Sequence, residues 1–200
     1  MTSLVVATEG VTDRAILARV CREIGVSIGR AHGEQGKDFL DARLPGFNRA
    51  ARHSPWVVLR DLDTDADCAP ALARTLLPTP ARRMVLCLAV REVEAWLLAD
   101  RAGFARSFGV VKERVPMDPG AIEGPKAEIV RLARRSRFRR VRDDIVPPSN
   151  SGAAVGPGHT ARLIEFAGSR WDPQAASRRS PSLRRCLARI AALGAPNVQC

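Results

Sequence analysis

The chain has 200 residues, a formal net charge of +11 and five cysteines, which form no CxxC pair and no Cys/His metal-ligand spacing. This length suffices for one substantial core, and the odd number of scattered cysteines argues against both a disulfide framework and a zinc site. The N-terminus lacks a basic leader, and no apolar run approaches the roughly 20 residues that span a bilayer. We therefore expect a cytoplasmic protein that does not enter a membrane.

Charge is distributed unevenly along the chain. Residues 1–123 contain 17 Lys and Arg against 16 Asp and Glu, whereas residues 124–200 contain 15 against 5. Almost all of the basic residues are arginines, whose guanidinium fork matches phosphate oxygens. This asymmetry predicts a nearly neutral core over residues 1–123 and a basic, mainly helical extension over residues 124–200 that packs on the core.

Apolar runs and amphipathic segments alternate through the first hundred residues. Strands are predicted at Leu4–Ala7, Val26–Ile28, Trp56–Arg60 and Met84–Val90, and helices at 14–23, 38–52 and 69–77. Further helices are predicted at 126–135, 159–167 and 180–193. This order predicts an α/β fold, with an open, mostly parallel sheet covered by helices on both faces.

The segment Gly29–Lys37 is predicted to be a glycine-rich loop. A phosphate-binding loop of the Walker type would require glycine at position 31 and serine or threonine at position 38. Those positions hold Ala31 and Asp38, so this type of nucleotide site is excluded.

Acidic residues follow three of the predicted strands. Asp61 and Asp63 follow the third strand, Glu9 follows the first, and Glu92 and Glu94 follow the fourth. The carboxyl ends of parallel strands meet at one edge of an open sheet, where ligands bind. Neighbouring carboxylates raise each other's pKa, and a hard cation such as Mg²⁺ is the usual reason that such a group stays ionised. The core is therefore predicted to bind a divalent metal.

Other interpretations of these acids differ in strength. Asp13 suits the first turn of a helix as well as it suits a metal site, and Asp65 and Asp67 are interpreted as loop and capping residues. A calcium-binding EF-hand loop starting at Asp61 would need glycine at 66 and glutamate at 72, which are Ala66 and Leu72. Phosphatases of the haloacid dehalogenase type share a DxD motif, but they carry it on their first strand.

Two of these motifs together resemble a known family. Glu9-Gly10-x-Thr12-Asp13 after the first strand, followed by Asp61-x-Asp63 after a later one, resembles the Toprim domain of primases, topoisomerases, the ribosomal-RNA maturase M5 and the OLD nucleases. The resemblance covers roughly residues 3–100. It implies that Glu9 acts as a general acid or base or binds metal, and that Asp61 and Asp63 hold Mg²⁺ or Mn²⁺.

The OLD nucleases add further residues to this comparison. Resemblance to them implies a two-metal site that also uses Asp13, Glu92 and Glu94, with Lys126 as a catalytic lysine. The stretch from Arg91 to Asp100, REVEAWLLAD, is similar to small bacterial Toprim-like proteins associated with antiviral defence and with partner ATPases. A partner ATPase is therefore an expectation from the resemblance.

The C-terminal part contains a dense group of arginines. Seven lie within twelve residues: Arg131, Arg134, Arg135, Arg137, Arg139, Arg140 and Arg142. Such a density predicts binding to the nucleic-acid backbone, although a solvated helix is the simpler alternative. Phe138 is the only aromatic residue within the group, so base stacking is not favoured. His159 near a helix start is interpreted as a capping or surface residue rather than a metal ligand.

The sequence leaves three functions open. The main hypothesis is a Mg²⁺- or Mn²⁺-dependent phosphodiesterase, a Toprim nuclease acting on DNA. The second is a nuclease that processes structured RNA, and the third is a regulatory or docking subunit of an ATPase. The chain contains no tyrosine, so the tyrosyl–DNA intermediate of topoisomerases cannot form on it.

Overall fold

The computed structural model describes residues 3–194, so residues 195–200 of the predicted basic extension lie outside the described residues. Within that range the chain forms four strands: β1 (Ser3–Thr8), β2 (Ser27–Gly33), β3 (Trp56–Asp61) and β4 (Met84–Ala89). The α-helices of the same range are α1 (Val11–Glu23), α2 (Lys37–Ala50), α3 (Ala69–Leu76), α4 (Glu94–Ala99), α5 (Arg101–Phe108), α6 (Pro125–Ala133), α7 (Arg139–Ile145), α8 (His159–Ser169), α9 (Pro173–Ser177) and α10 (Pro181–Gly194).

The four strands form one parallel sheet in the order β2-β1-β3-β4. Strand β1 pairs with β2 on one side and with β3 on the other, where Val6 aligns with Val57. Strands β3 and β4 consist almost wholly of buried residues and β1 is buried at four of its six positions, as expected for parallel strands with helices on both faces. The predicted fold class, an α/β protein with an open parallel sheet, is therefore confirmed.

The helices divide between the two faces of the sheet. Leu40 and Leu44 of α2 and Leu72 of α3 share a buried cluster with Val58 and Leu86, which point to one face. Side chains alternate along a strand, so Cys87 points to the opposite face, where it interacts with Cys21 of α1. Helices α2 and α3 therefore cover one face and α1 the other.

Helix α10 returns to the edge of the sheet formed by β4. Arg189 Nη1 donates a hydrogen bond to the Leu86 carbonyl oxygen at 2.7 Å, and Ser182 Oγ accepts one from the Val90 amide at 3.5 Å. Polar groups of the last strand are thus satisfied by side chains of a helix. This cover removes part of the exposed edge that would otherwise pair with another chain.

Strand β2 extends five residues beyond its predicted end at Ile28. The glycine-rich stretch from Gly29 to Gly33 is therefore a strand, and the prediction of a loop there was wrong. Most of this edge strand is exposed, so its side chains carry no apolar alternation. Its conformation depends on pairing with β1 rather than on burial of its own residues.

Residues 91–181 form a second compact unit, distinct from the sheet unit of residues 3–90 and 182–194. Phe104 and Phe108 stack at 4.1 Å between ring centroids, and Phe166 meets both edge-on. The buried Trp171 donates its indole hydrogen to the Trp96 carbonyl oxygen at 3.1 Å. The boundary after residue 123 was inferred from charge and stays a prediction.

Among the helices of residues 3–194, none combines the length and the apolar composition that crossing a bilayer requires.

Gly33 offers a test of how closely the end of β2 approaches β1. Its φ is +98°, and an added Cβ would lie 2.0 Å from the Thr8 carbonyl oxygen, whereas Gly25, with φ +71°, has nothing within 4 Å of such an atom. We expect Gly25→Ala to lower the free energy of unfolding by about 1–2 kcal/mol through backbone strain alone. Gly33→Ala should cost about 3 kcal/mol or more, because a clash with backbone adds to that strain.

Chemical denaturation of both variants measures the difference. Equal losses in the free energy of unfolding for Gly25→Ala and Gly33→Ala would contradict the close approach of Gly33 to β1.

Candidate functional site

The strand order creates a crevice between β1 and β3. The chain leaves β1 for β2 on one side and then crosses to β3 on the other, so the two connections diverge above the carboxyl ends of β1 and β3. Open parallel sheets bind ligands at this kind of switch point. Glu9 follows β1 and Asp61 ends β3, which places both acids at the crevice.

Glu9 and Asp61 are in direct contact. The Asp61 amide donates a hydrogen bond to Glu9 Oε1 at 2.8 Å, across 52 positions of sequence. Burial raises the pKa of Glu9 above its ordinary value, while this hydrogen bond and the charge of Arg60 act in the opposite direction. Glu9 is thus a partly buried carboxylate whose affinity for a proton is increased by its surroundings.

Asp63 and Asp65 lie in the loop after β3 and share one lysine. Lys37 Nζ is 3.3 Å from Asp63 Oδ2 and 3.0 Å and 3.2 Å from the two carboxylate oxygens of Asp65. Asp63 adopts a left-handed backbone conformation with φ 48°, which aspartate tolerates better than most residues. Lys37 is the first residue of α2, so this ion pair joins the start of α2 to the loop after β3.

Arg60 supplies the second cation of the crevice. Its side chain is 3% exposed, donates to both carboxylate oxygens of Asp41 at 3.3 Å and 3.0 Å, and contacts Asp65 Oδ2 at 2.5 Å and Glu9 Oε1 at 3.6 Å. It also donates to the Asp61 carbonyl oxygen. Burial alone would lower the pKa of Arg60, but the hydrogen bonds to Asp41 and Asp65 outweigh it and raise the pKa.

The composition of this group suits a hard cation. Its five acids exceed its two cations by three charges: Glu9, Asp41, Asp61, Asp63 and Asp65 against Lys37 and Arg60. Carboxylate oxygens are the ligands that Mg²⁺ and Mn²⁺ prefer, so the donor chemistry fits. Across residues 3–194, however, no three His, Cys, Asp or Glu side chains are gathered as a metal site would require. Lys37 and Arg60 instead take up the oxygens of several of these acids.

Asp13 has a local structural role. Its Oδ2 accepts a hydrogen bond from the Gly10 amide at 2.7 Å, and Gly10 is the N-cap of α1. A carboxylate in the first turn also interacts favourably with the helix dipole. Its participation in a metal site stays a prediction.

Glu92, Glu94 and Lys126 form a cluster of their own in the second unit. Lys126 Nζ lies 3.9 Å from Glu92 Oε1 and 3.7 Å from Glu94 Oε1, and the Lys126 amide donates to Glu92 Oε2 at 2.7 Å. Glu92 therefore accepts a hydrogen bond from a backbone amide in the first turn of α6. Helix α4 begins only at Glu94, so Glu92 lies outside that helix and both glutamates can reach the ammonium group of Lys126. Burial raises the pKa of Glu94, and Lys126 partly offsets it.

His159 is buried rather than exposed at the start of α8. It is 4% exposed, and its Nε2 is buried and has no hydrogen-bond partner among the described residues. Burial lowers the pKa of His159 to about 4, with a further contribution from the charge of Lys126. The interpretation of His159 as a surface residue was therefore wrong.

The arginine group occupies the end of α6, the start of α7 and the turn between them. Arg131 pairs with Glu128, and Arg142 donates to the Ser136 carbonyl oxygen. Within the described chain, Arg134, Arg135 and Arg140 are exposed and form no ion pair. Phe138 packs against Gly109, and the Arg137 guanidinium lies 5.0 Å from its ring centroid. Phe138 is still 39% exposed, but it is the only aromatic residue within the group, so the surface offers mainly charge rather than a stacking platform.

Sequence reasoning missed the cations of the crevice. Arg60 was treated only as the end of an apolar strand, although a charged residue within such a run requires buried partners. Lys37 was considered only as part of a rejected phosphate-binding loop. Asp41, which Arg60 holds, was not singled out because it lies within a helix and carries no motif.

No family model, curated protein or solved structure matches this chain. The likeness to Toprim domains therefore rests on its motifs.

Replacing Arg60 tests whether its charge holds the crevice together. Arg60→Met should lower the free energy of unfolding by about 2–3 kcal/mol at pH 6, because it leaves several acids without their counter-charge. Arg19→Met, which removes an i,i+4 pair with Glu23 on α1, should cost about 0.5 kcal/mol or less. Urea unfolding measures both.

The loss in the free energy of unfolding caused by Arg60→Met should depend on pH. The hydrogen bonds from Arg60 and then Lys37 lower the pKa of Asp65 below its ordinary value of 3.8. The stabilisation that ionised Asp65 contributes is thus fully present above pH 3.8, and it disappears as the pH falls through the lower pKa that Asp65 has in the folded state. The difference between Arg60→Met and wild type should therefore shrink from pH 6 to pH 3; a difference that stays constant would contradict an ionic role.

Nuclear magnetic resonance can test the environment of His159. Its imidazole should remain neutral down to pH 5 in long-range ¹H–¹⁵N spectra, because burial lowers its pKa to about 4. Lys126→Met should raise that pKa, since a nearby positive charge is removed. Lys112→Met is the matched control and should leave it unchanged. Protonation of His159 near pH 6.5 in wild type would show that the residue is not buried.

Proposed function

We propose that the protein is a metal-dependent phosphodiesterase, a nuclease of the Toprim kind that acts on DNA. The observation that carries the proposal is the contact between Glu9 and the Asp61 amide at the switch point of the sheet. It joins the two motifs of the Toprim resemblance, which are far apart in sequence. The bond holds the Glu9 carboxylate at the carboxyl end of β3, beside the segment that carries Asp61 and Asp63.

Glu9, Asp61 and Asp63 are the residues that would hold Mg²⁺ or Mn²⁺. When bound, such an ion supplies Lewis-acid stabilisation of the phosphodiester and activation of water. The chain's own contribution is to keep an excess of carboxylates at the end of β3, with Arg60 beside them as a counter-charge. Asp13, Glu92, Glu94 and Lys126 are not needed for this proposal, and their roles remain predictions from the resemblance.

Glu9 is suited to accept a proton in the reaction. A general base works best when its pKa is shifted towards the working pH, and burial raises the pKa of Glu9. The Asp61 amide fixes the orientation of the carboxylate through Oε1. This geometry supports Glu9 as the residue that takes the proton from attacking water.

The arginine group of α6 and α7 supports nucleic acid as the substrate class. Exposed guanidiniums without ion pairs bind phosphates and release counterions from the polymer. Phe138 is the only aromatic residue within the group, which disfavours reading of bases by stacking. Both features favour contact with the backbone, independent of sequence.

Removing the aspartate pair tests the proposal. Asp61→Asn combined with Asp63→Asn should reduce Mg²⁺-dependent cleavage of double-stranded DNA to background, because neutral amides hold divalent cations poorly. The double variant should still bind DNA, since the arginines of α6 and α7 are intact. Gel-based cleavage and fluorescence anisotropy measure the two properties.

The matched control replaces two exposed acids of the same unit, Asp38→Asn with Asp67→Asn. It changes the net charge equally and should leave cleavage unchanged. Circular dichroism verifies that both double variants are folded. Full cleavage by the folded Asp61→Asn/Asp63→Asn protein would exclude the proposed mechanism.

A further inference from the structure

We propose that Lys37 is an internal counter-ion of the site, whose ammonium group must leave the Asp63 carboxylate before a divalent cation can bind there. The inference rests on the proposed function and goes beyond it, because it assigns a role to a residue outside both acidic motifs. It makes Lys37 a residue that sets metal affinity.

The position of the ammonium group is the first argument. Lys37 Nζ lies within 3.3 Å of one oxygen of Asp63 and of both oxygens of Asp65. An ammonium is a compact point charge, so it bridges carboxylates much as a metal ion does. An ammonium group and a divalent ion on the same Asp63 oxygen would repel each other at short range, so occupation by one disfavours the other.

The second argument is the difference between the two cations of the crevice. Arg60 is 3% exposed and is fixed by two hydrogen bonds to Asp41. The Lys37 side chain is 38% exposed and, among residues 3–194, makes its ion pairs only with the loop after β3. Arg60 is therefore a permanent counter-charge, whereas Lys37 can turn into solvent without opening the core.

The backbone permits this movement. Gly36, the residue before Lys37, donates its amide hydrogen to the Glu9 carbonyl oxygen at 3.0 Å. This bond anchors the start of α2 beside β1 while the lysine side chain extends from it. Release of Lys37 thus requires side-chain rotation alone, and the acids remain where they are.

The charge of the group explains why the exchange is favourable. With Lys37 and Arg60 in place, five acids still carry an excess of three negative charges. A divalent ion that replaces Lys37 adds one further positive charge and returns the ammonium to water.

Metal titration of the full chain tests this role. Isothermal titration calorimetry with Mg²⁺ and with Mn²⁺ should show that Lys37→Met binds each ion about tenfold more tightly than wild type, because a competing positive charge is removed. Lys37→Arg, which keeps the charge, should stay close to wild type. Lys112→Met removes a lysine of the second unit and should change nothing.

A second measurement uses the wild-type protein alone. The chain contains three lysines, so selective ¹³C and ¹⁵N labelling of lysine gives few, resolvable side-chain signals. Addition of Mg²⁺ should shift the signals of Lys37 and leave those of Lys112 in place. This readout does not depend on whether the Lys37→Met variant folds.

The outcomes separate the inference from the proposed function. If wild type binds the ions but Lys37→Met binds them no more tightly, or the Lys37 signals do not respond, Lys37 is not the competing cation and the nuclease proposal stands. If neither wild type nor Lys37→Met binds Mg²⁺ or Mn²⁺, both proposals fail. An equal gain in metal affinity in Lys112→Met would show that the effect comes from the overall charge of the protein, and it would also overturn the inference.

Discussion

The buried charge of Arg60 is the constraint on which the crevice depends. A guanidinium that is 3% exposed within an otherwise apolar strand requires acids around it, since an isolated buried charge is very costly. Asp41 on α2, Asp65 after β3 and Glu9 after β1 supply them. One side chain therefore ties three segments to the same edge of the sheet, and its hydrogen bond lowers the pKa of Asp65.

Much of the fold could be predicted because its signals are local. The runs Trp56–Leu59 and Met84–Ala89 are apolar and buried at every position, and this pattern needs no knowledge of neighbours. Strand β2 shows the limit of such reasoning. Its residues are largely exposed and rich in glycine, and they become a strand only because β1 offers a partner. Local sequence cannot reveal a strand that exists through pairing alone.

The candidate site could be predicted only in part, for a related reason. The acids at the ends of β1 and β3 were recognisable because each lies directly after an apolar run. The cations that pair with these acids could not be recognised in the same way. Lys37 and Asp63 are 26 positions apart and meet only because β3 lies on the other side of β1 from β2. Arg60 was detectable in principle, because its charge interrupts a buried strand and demands compensation.

In each of the two acidic clusters, a lysine lies beside a pair of acids. The chain has 32 basic residues, of which only Lys37, Lys112 and Lys126 are lysines. Lys37 bridges Asp63 and Asp65 in one unit, and Lys126 lies within 4 Å of Glu92 and Glu94 in the other. An arginine fork would bind such carboxylates in a fixed, bidentate geometry, as Arg60 binds Asp41. An ammonium on a flexible stem holds them less rigidly, so a lysine can stabilise paired acids and still be exchanged for another cation or a phosphate-bearing ligand.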